Sequence, residues 1–568
     1  MNFKIIFMRS RFLNPLVFLV ILLFFGSCSQ DDTTITDIPD TPTEEFTLKI
    51  ENDIKVEMRD GVELAVNIYR PDTEGTFPVI LSLGPYGKDD LPAEYDPVED
   101  GNINVSEYAA FEVSDPDFWV KNGYVVIAAD SRGTGQSDGK LNIFEDQEAE
   151  DYYDLIEWAA AQEWSTGKVG LNGVSIYGIS QWKAAALNPP HLNAIICWEG
   201  FTDPFRDGFY HGGIPSEFID GWFQFRILES LSPTNAGYRD LPAEVAANPL
   251  VSASIYQDFN ISNKLSKITV PAYIAVSIQD HGLHTRGTIN GFQAISSQQK
   301  WLELYGRKKW EFYYSDDALS RQKRFFDYFL KDIDSGILNQ PTVRYELREA
   351  YYKGDIETAS NWPIPGRTLS KLYLDTSDST LDYTSVENAS HISYDATPLE
   401  DPELIQESQR VIFKHTFTKE TNIVGSMKLK LFVSTDQAND IDLFVGIQKA
   451  DTNGNIIYFE GPGGSEGQVA SGWLRVSKRA LDMSKSTEEI PFHSHNVIEP
   501  ILPNQIVEVE VEIWPTTVKY KAGEQLLLVI QGNDIVESQE SHKDNVNKGN
   551  TTIYSSDKYQ SYLQIPIL

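Results

Sequence analysis

A serine suited to nucleophilic attack stands at position 175, in the stretch KVGLNGVSIYGISQWKAAALN at 168–188. An apolar strand at 169–171 turns sharply through Asn172, Gly173, Val174 and Ser175. Ala184, Ala185 and Ala186 are good helix formers, and Pro189 and Pro190 stop the helix. A serine held at a strand-to-helix turn, with small residues before it, has the geometry of a nucleophile elbow. The turn exposes the hydroxyl, and the new helix aims its amides and positive dipole end at developing negative charge. The pentapeptide GVSIY lacks the second glycine of G-x-S-x-G, and Gly178 comes one residue late. Taken alone, the stretch also fits an ordinary strand–turn–helix crossover.

The elements around this turn follow a recognisable grammar. Apolar runs at 78–83, 124–130, 194–198 and 271–277 read as buried strands. Helical stretches separate several of them, notably 147–162, where Tyr152, Leu155, Ile156 and Ala159 keep helical spacing. Strands alternating with helices predict a mostly parallel sheet covered on both faces, with ligands at the carboxyl ends of its strands. Between 200 and about 265 the strand pattern lapses, and the helical stretches 217–231 and 241–247 are expected to form a cap over the site. Beyond about 350 short β-rich runs take over, at 371–374, 411–417, 427–433, 441–448, 507–513, 525–530, 551–554 and 562–567. That succession predicts a β-sandwich, of jelly-roll type, over 351–568.

At 568 residues the chain holds two or three domains. A formal net charge of −36 argues against a nucleic-acid partner or an anionic membrane surface. A basic start (Lys4, Arg9, Arg11), an apolar run at 16–25 and Gly26-Ser27-Cys28 read as a lipoprotein signal peptide over 1–28, with Cys28 lipidated. The acidic, proline-bearing segment 29–48 reads as a tether. Membrane contact is then expected only through the anchor at Cys28, on the outer membrane or surface of a bacterial cell. Cys197 is the other of the two cysteines and reads as an inert buried thiol.

Over 49 to the end the sequence resembles the family of Xaa-Pro dipeptidyl-peptidases, cocaine esterase and α-amino-acid ester hydrolases. The resemblance rests on Arg59-Asp-Gly-Val-Glu-Leu, Pro85-Tyr86-Gly-Lys88, Asp130-Ser-Arg132-Gly-Thr-Gly-Gln-Ser137 and Gly173-Val-Ser175-Ile-Tyr-Gly178. It continues through Asp203-Pro-Phe-Arg206-Asp207, Phe325-Phe-Asp-Tyr-Phe-Leu330 and Ser471-Gly-Trp-Leu-Arg475. The family's elbow is G-x-S-Y-x-G, so the late glycine fits. The resemblance implies an α/β-hydrolase core at 49–350 and hydrolysis of an ester, amide or Xaa-Pro peptide through an acyl-enzyme on Ser175. It further implies an oxyanion hole from the Ile176 backbone N–H and the Tyr86 hydroxyl. Asp280, after the strand 271–277, matches the position of the triad's acid.

The base departs from the family pattern. The family carries histidine in G-P-W-x-H after the last core strand, whereas 310–317 here contain none. His284 from the Asp280 loop is the first candidate, with Asp280 or the Asp316/Asp317 pair orienting it; triads are recognised by geometry, not position. His281 and His211 are alternatives. With no base at all, the chain would be a weak or inactive hydrolase that binds a ligand. Glu199, Asp203, Asp207, Glu217 and Asp220 are candidates to receive a substrate's free amino group. No metal or other cofactor is expected: His493 and His495 read as sandwich-surface residues, Asp440 and Asp442 as solvated, and Gly461–Gly467 as a turn.

Overall fold

The uninterrupted apolar runs become neighbouring strands because a strand buried on both faces has no polar position to alternate with. The computed structural model describes residues 46–90, 103, 105–461, 466–536 and 541–568. The signal and anchor at 1–28, most of the tether and the centre of the glycine-rich turn at 461–467 lie outside them. Strands β1 (Leu48–Glu57), β2 (Glu63–Pro71), β3 (Phe77–Gly84), β4 (Val125–Asp130), β5 (Ser165–Val174) and β6 (Leu192–Trp198) open the core sheet. It continues with β7 (Ala272–Ser277), β8 (Lys300–Tyr305), β9 (Val343–Ala350) and β10 (Lys353–Ala359). Pairing gives the order β1-β2-β4-β3-β5-β6-β7-β8-β9-β10, parallel from β4 to β9 and antiparallel at both ends. Helices α1 (Asp146–Ala160), α2 (Ile176–Ala186), α3 (Thr285–Ala294) and α4 (Asp316–Lys331) flank it. Leu155 and Ile156 of α1, Ala184 and Ala185 of α2 and Phe325 and Phe326 of α4 are fully buried.

The segment between β6 and β7 interrupts the sheet grammar as expected. It holds the helix Phe218–Trp222, a wider turn of π-helix at Phe223–Ile227, and helices Leu241–Ala247 and Ser254–Phe259. Leu241–Ala247 falls on its predicted bounds; the aromatic stretch 217–231 is helical only over its middle.

Each of the eight β-rich runs beyond 350 lies in or overlaps an observed strand. Val507–Tyr520 starts with the alternation its Val-Glu repeat dictates, valines buried and glutamates at least partly exposed. It pairs with Thr421–Thr435, whose other edge takes Asn550–Ser555 and Tyr562–Ile567. Asp442–Ala450 lies between Ala470–Arg475 and Gln525–Gln531, the latter extended by Arg410–Thr416. The fold is thus a doubly covered, mainly parallel sheet followed by a C-terminal β domain. The two are joined through β9, where Arg348 pairs with Val518 and buries its guanidinium on the Thr517 carbonyl (3.1 Å) and the Thr516 hydroxyl (2.7 Å).

Packing in and against the β domain corrects two surface expectations. His493 and His495 are buried, not exposed, beside the Arg206 and Phe205 segment that follows β6. Asp442 is fully buried and clamped by Arg475 through two hydrogen bonds of 2.8 Å, and Asp440 accepts from the backbone of Ser477 at 2.8 Å. Both errors come from reading a strand as if nothing packed on its outer face. No helix among the described residues is long and apolar enough to cross a membrane.

Candidate active site

β5 delivers Ser175 to the carboxyl edge of the sheet, where the chain must reverse within one residue to begin α2. Ser175 accordingly has φ +57° and ψ −121°, a conformation costly for a residue with a side chain and held by its surroundings. Its N–H donates to the Trp198 carbonyl (2.9 Å), and its carbonyl accepts from Gly178 and Ile179 (both 2.8 Å). The two glycines flanking the turn have a steric reason. A Cβ on Gly178 would stand 2.7 Å from the Trp198 carbonyl oxygen, and one on Gly173 would stand 2.4 Å from Cβ of Tyr177. The second glycine is therefore needed at serine plus three, where the helix brushes β6. The Ile176 amide sits in the first turn of α2, whose N–H groups have no acceptor within the helix.

The loop after β7 brings up the histidine. His284 Nε2 lies 3.2 Å from Ser175 Oγ, and the ring is buried beside Phe201. Accepting the serine proton at Nε2 places the ring's own proton on Nδ1, which has no hydrogen-bond partner. Burial drives the imidazole pKa down to about 3; the Asp280 charge opposes that shift, and the Lys309 charge adds to it. Asp280 is also buried, and its carboxylate accepts from Lys309 Nζ at 3.2 Å. Burial works against the Lys309 ammonium, but Asp280, Glu112 and Glu199 together hold it charged. Glu112 and Glu199 carry carboxyls that burial raises to about 7 and about 8, and each keeps one oxygen without a partner. Burial thus favours the neutral form of both carboxyls beside the Asp280–Lys309 pair. Lys309 carries no local motif; only its place just after β8, where the family keeps its histidine, hinted at a site residue.

The other histidines face elsewhere. His281 accepts from the Ser471 N–H (2.9 Å) at Nδ1 and donates from Nε2 to the Pro515 carbonyl (3.1 Å), so it binds the β domain. His211 shares a 2.8 Å nitrogen–nitrogen hydrogen bond with His542, which is paired with Asp534. Asp316 and Asp317 start α4; Asp317 is exposed and paired with Arg321, so neither orients His284. The β domain and β9 thereby brace the loop carrying Asp280 and His284 from behind: His281 holds Ser471 and Pro515, and Gln279 holds Arg348 of β9 and the Gln468 carbonyl.

Tyr86 follows β3 and is buried against Phe111 and Tyr177. Burial, then the Glu112 charge, pushes its phenol pKa up, so it stays a hydrogen-bond donor. Above Ser175 remains a cavity of about 20 Å³, walled by Phe144, Ile179, Phe209, Trp222 and Leu283 among others. That is room for about one water. None of Glu199, Asp203, Asp207, Glu217 or Asp220 lines it. Asp203 and Asp207 are instead spent on Arg206 and Arg286, and Asp220 on Lys543.

A nucleophile elbow at the edge of a parallel sheet, a histidine on its serine and a C-terminal β domain define a serine hydrolase with an α/β-hydrolase-like core. The chain belongs to the X-Pro dipeptidyl-peptidase (S15) family: residues 60–306 match the family's peptidase model and 335–564 its C-terminal non-catalytic domain. A solved CocE/NonD family hydrolase from Staphylococcus aureus is 41% identical, with a TM-score of 0.86 over 91% of this chain and 94% of that one. Cocaine esterase of Rhodococcus sp. is 35% identical over 175 residues, which cover 30% of this chain and 28% of that enzyme. A solved α-amino acid ester hydrolase shares the fold at 16% identity, with a TM-score of 0.73 over 95% of this chain and all of that one. Family membership, with Ser175 and His284 in contact, favours hydrolysis over the ligand-binding alternative.

Proposed function

We propose that the protein is an esterase acting on small, uncharged esters with an apolar acyl group. The observation that carries this is the Ser175–His284 contact beneath a cavity walled by aromatic and aliphatic side chains. Ser175 Oγ bonds to the acyl carbon while its proton passes to His284 Nε2. The carbonyl oxygen, now negative, is received by the Ile176 N–H and the Tyr86 hydroxyl. His284 then gives the proton to the departing alcohol oxygen, leaving the acyl-enzyme. Water repeats the sequence: its proton goes to His284, its oxygen to the acyl carbon, and the proton returns to Ser175 as the acid leaves. Asp280 stabilises the imidazolium formed in each half.

The family model's name points equally to dipeptides, but no carboxylate among the described residues lines the cavity to meet a free α-ammonium. Burying that ion unpaired costs several kcal/mol. Steady-state kinetics on p-nitrophenyl butyrate and Gly-Pro-p-nitroanilide test the choice. The ester is expected to have the higher kcat/KM by at least about 10²-fold, the equivalent of about 3 kcal/mol of missing ammonium recognition. Faster cleavage of the anilide would overturn the ester reading.

We further propose that the C-terminal β domain is a jelly roll, supported by the pairing of sequence-distant strands such as Thr421–Thr435 with Tyr562–Ile567. We also propose export with a lipid anchor at Cys28, supported by the basic, apolar and Gly-Ser-Cys order of the first 28 residues. Cells fed labelled palmitate are expected to label the full chain and not Cys28→Ala; equal labelling of both would reject the anchor.

A further inference from the structure

The oxyanion hole contains a phenol, and a phenol is an ambiguous donor. Its one proton rotates, and an oxyanion is stabilised only if that proton points at it when charge develops. Tyr86 is buried against Ser175, so the protein groups packed around its hydroxyl settle the orientation of its proton.

What meets that hydroxyl is Trp222, the last residue of the helix Phe218–Trp222 between β6 and β7. Its indole Nε1–H donates to the Tyr86 hydroxyl oxygen at 2.8 Å. An indole N–H has no acceptor capacity. The bond therefore has a single direction: Tyr86 accepts from Trp222, and its own proton must go elsewhere, which leaves the Ser175 side. The indole is itself fixed, stacked on Phe144 (6.0 Å between centroids, 23° between planes) and on Phe218 (6.2 Å, 17°).

We propose that Trp222 is the positioning residue of the oxyanion hole: its N–H occupies the acceptor side of the Tyr86 hydroxyl and so aims the hydroxyl proton at the oxygen developing above Ser175. This rests on the esterase reading of the site. Trp222 also walls the cavity above Ser175.

Trp222→Phe keeps an aromatic ring between Phe144 and Phe218 and removes the N–H. With p-nitrophenyl butyrate, kcat is expected to fall about tenfold, less than the roughly 10²–10³-fold of losing an oxyanion donor outright, with KM changed by less than about twofold. In a Tyr86→Phe background the same substitution should change kcat by less than about twofold, because no hydroxyl remains to be aimed. Loss of kcat of equal size in both backgrounds, or a change confined to KM, would make Trp222 a packing residue and overturn the proposal. Should Tyr86→Phe lower kcat while Trp222→Phe leaves it untouched, the proposal fails and the esterase site stands. Should Tyr86→Phe leave kcat unchanged, the role of Tyr86 in the site falls, and that of Trp222 with it.

Discussion

His284→Ala is expected to abolish rapid labelling by a fluorophosphonate probe and to lower kcat on p-nitrophenyl butyrate by about 10⁵–10⁶-fold, the loss typical of removing either half of a serine–base unit. Ser175→Ala should give a loss of the same size, and the double variant no more, because the two groups act on one proton. His211→Ala should still label at the parental rate, since its ring faces His542, and His281→Ala should label far faster than His284→Ala, since its ring faces the β domain and not Ser175. Their cost falls on stability: His211→Ala leaves His542 with one partner fewer, and His281→Ala strands the Ser471 N–H and the Pro515 carbonyl. Rapid labelling of His284→Ala would remove it from the mechanism.

The same histidine sets an unusual pH dependence. Burial first, opposed by Asp280 and reinforced by Lys309, leaves His284 neutral down to about pH 3. The acid limb of kcat/KM in the free enzyme should therefore lie below pH 5, well under the ordinary imidazole range near 6.5. The stability contribution has the corresponding sign. A histidine with a depressed folded-state pKa contributes stability that is present above about pH 6.5 and lost as pH falls towards 3, because only the unfolded chain takes up the proton in that window. An acid limb at the ordinary imidazole value would mean that another group is the base.

Asp280→Asn carries the second large effect, and it divides into two parts. With the geometry kept, loss of the charge, which acts on the imidazolium through space and not through a hydrogen bond to Nδ1, should reduce kcat by less than the about 10⁴-fold seen when a hydrogen-bonded triad acid is neutralised. The substitution also leaves the buried Lys309 ammonium without its hydrogen-bonded carboxylate, which should destabilise the fold by about 3 kcal/mol. Adding Lys309→Met removes the stranded charge. The double variant should regain most of the stability and none of the activity. Lys309→Met alone should move the acid limb of kcat/KM upward, since Lys309 lowers the basicity of His284. Activity restored together with stability in the double variant would show that Asp280 matters for folding and not for catalysis.

Some of this molecule is written in short stretches of sequence. The elbow depends on Gly173, Ser175 and Gly178, residues within one turn of each other, whose small size is required by contacts of β5 and α2 with their immediate neighbours. The core strands are legible because burial on both faces leaves an uninterrupted apolar run, and the β-domain strands because half-burial leaves an alternation such as that at 507–513. Which histidine meets the serine was not legible in the same way. His281 and His284 lie three residues apart in one loop, yet one ring meets Ser471 and Pro515 and the other meets Ser175. Nor did any local pattern announce that Asp280 would bind Lys309, that Trp222 would reach Tyr86, or that His493, His495 and Asp442 would be covered. Strands, elbow and family were legible in short-range pattern; which histidine faces the serine, and what surrounds it, came from packing. Strand and turn preferences act over a few residues, whereas the site is assembled where the ends of β3, β5, β6, β7 and β8 converge. A side chain's partners there are set by packing between segments far apart in the chain.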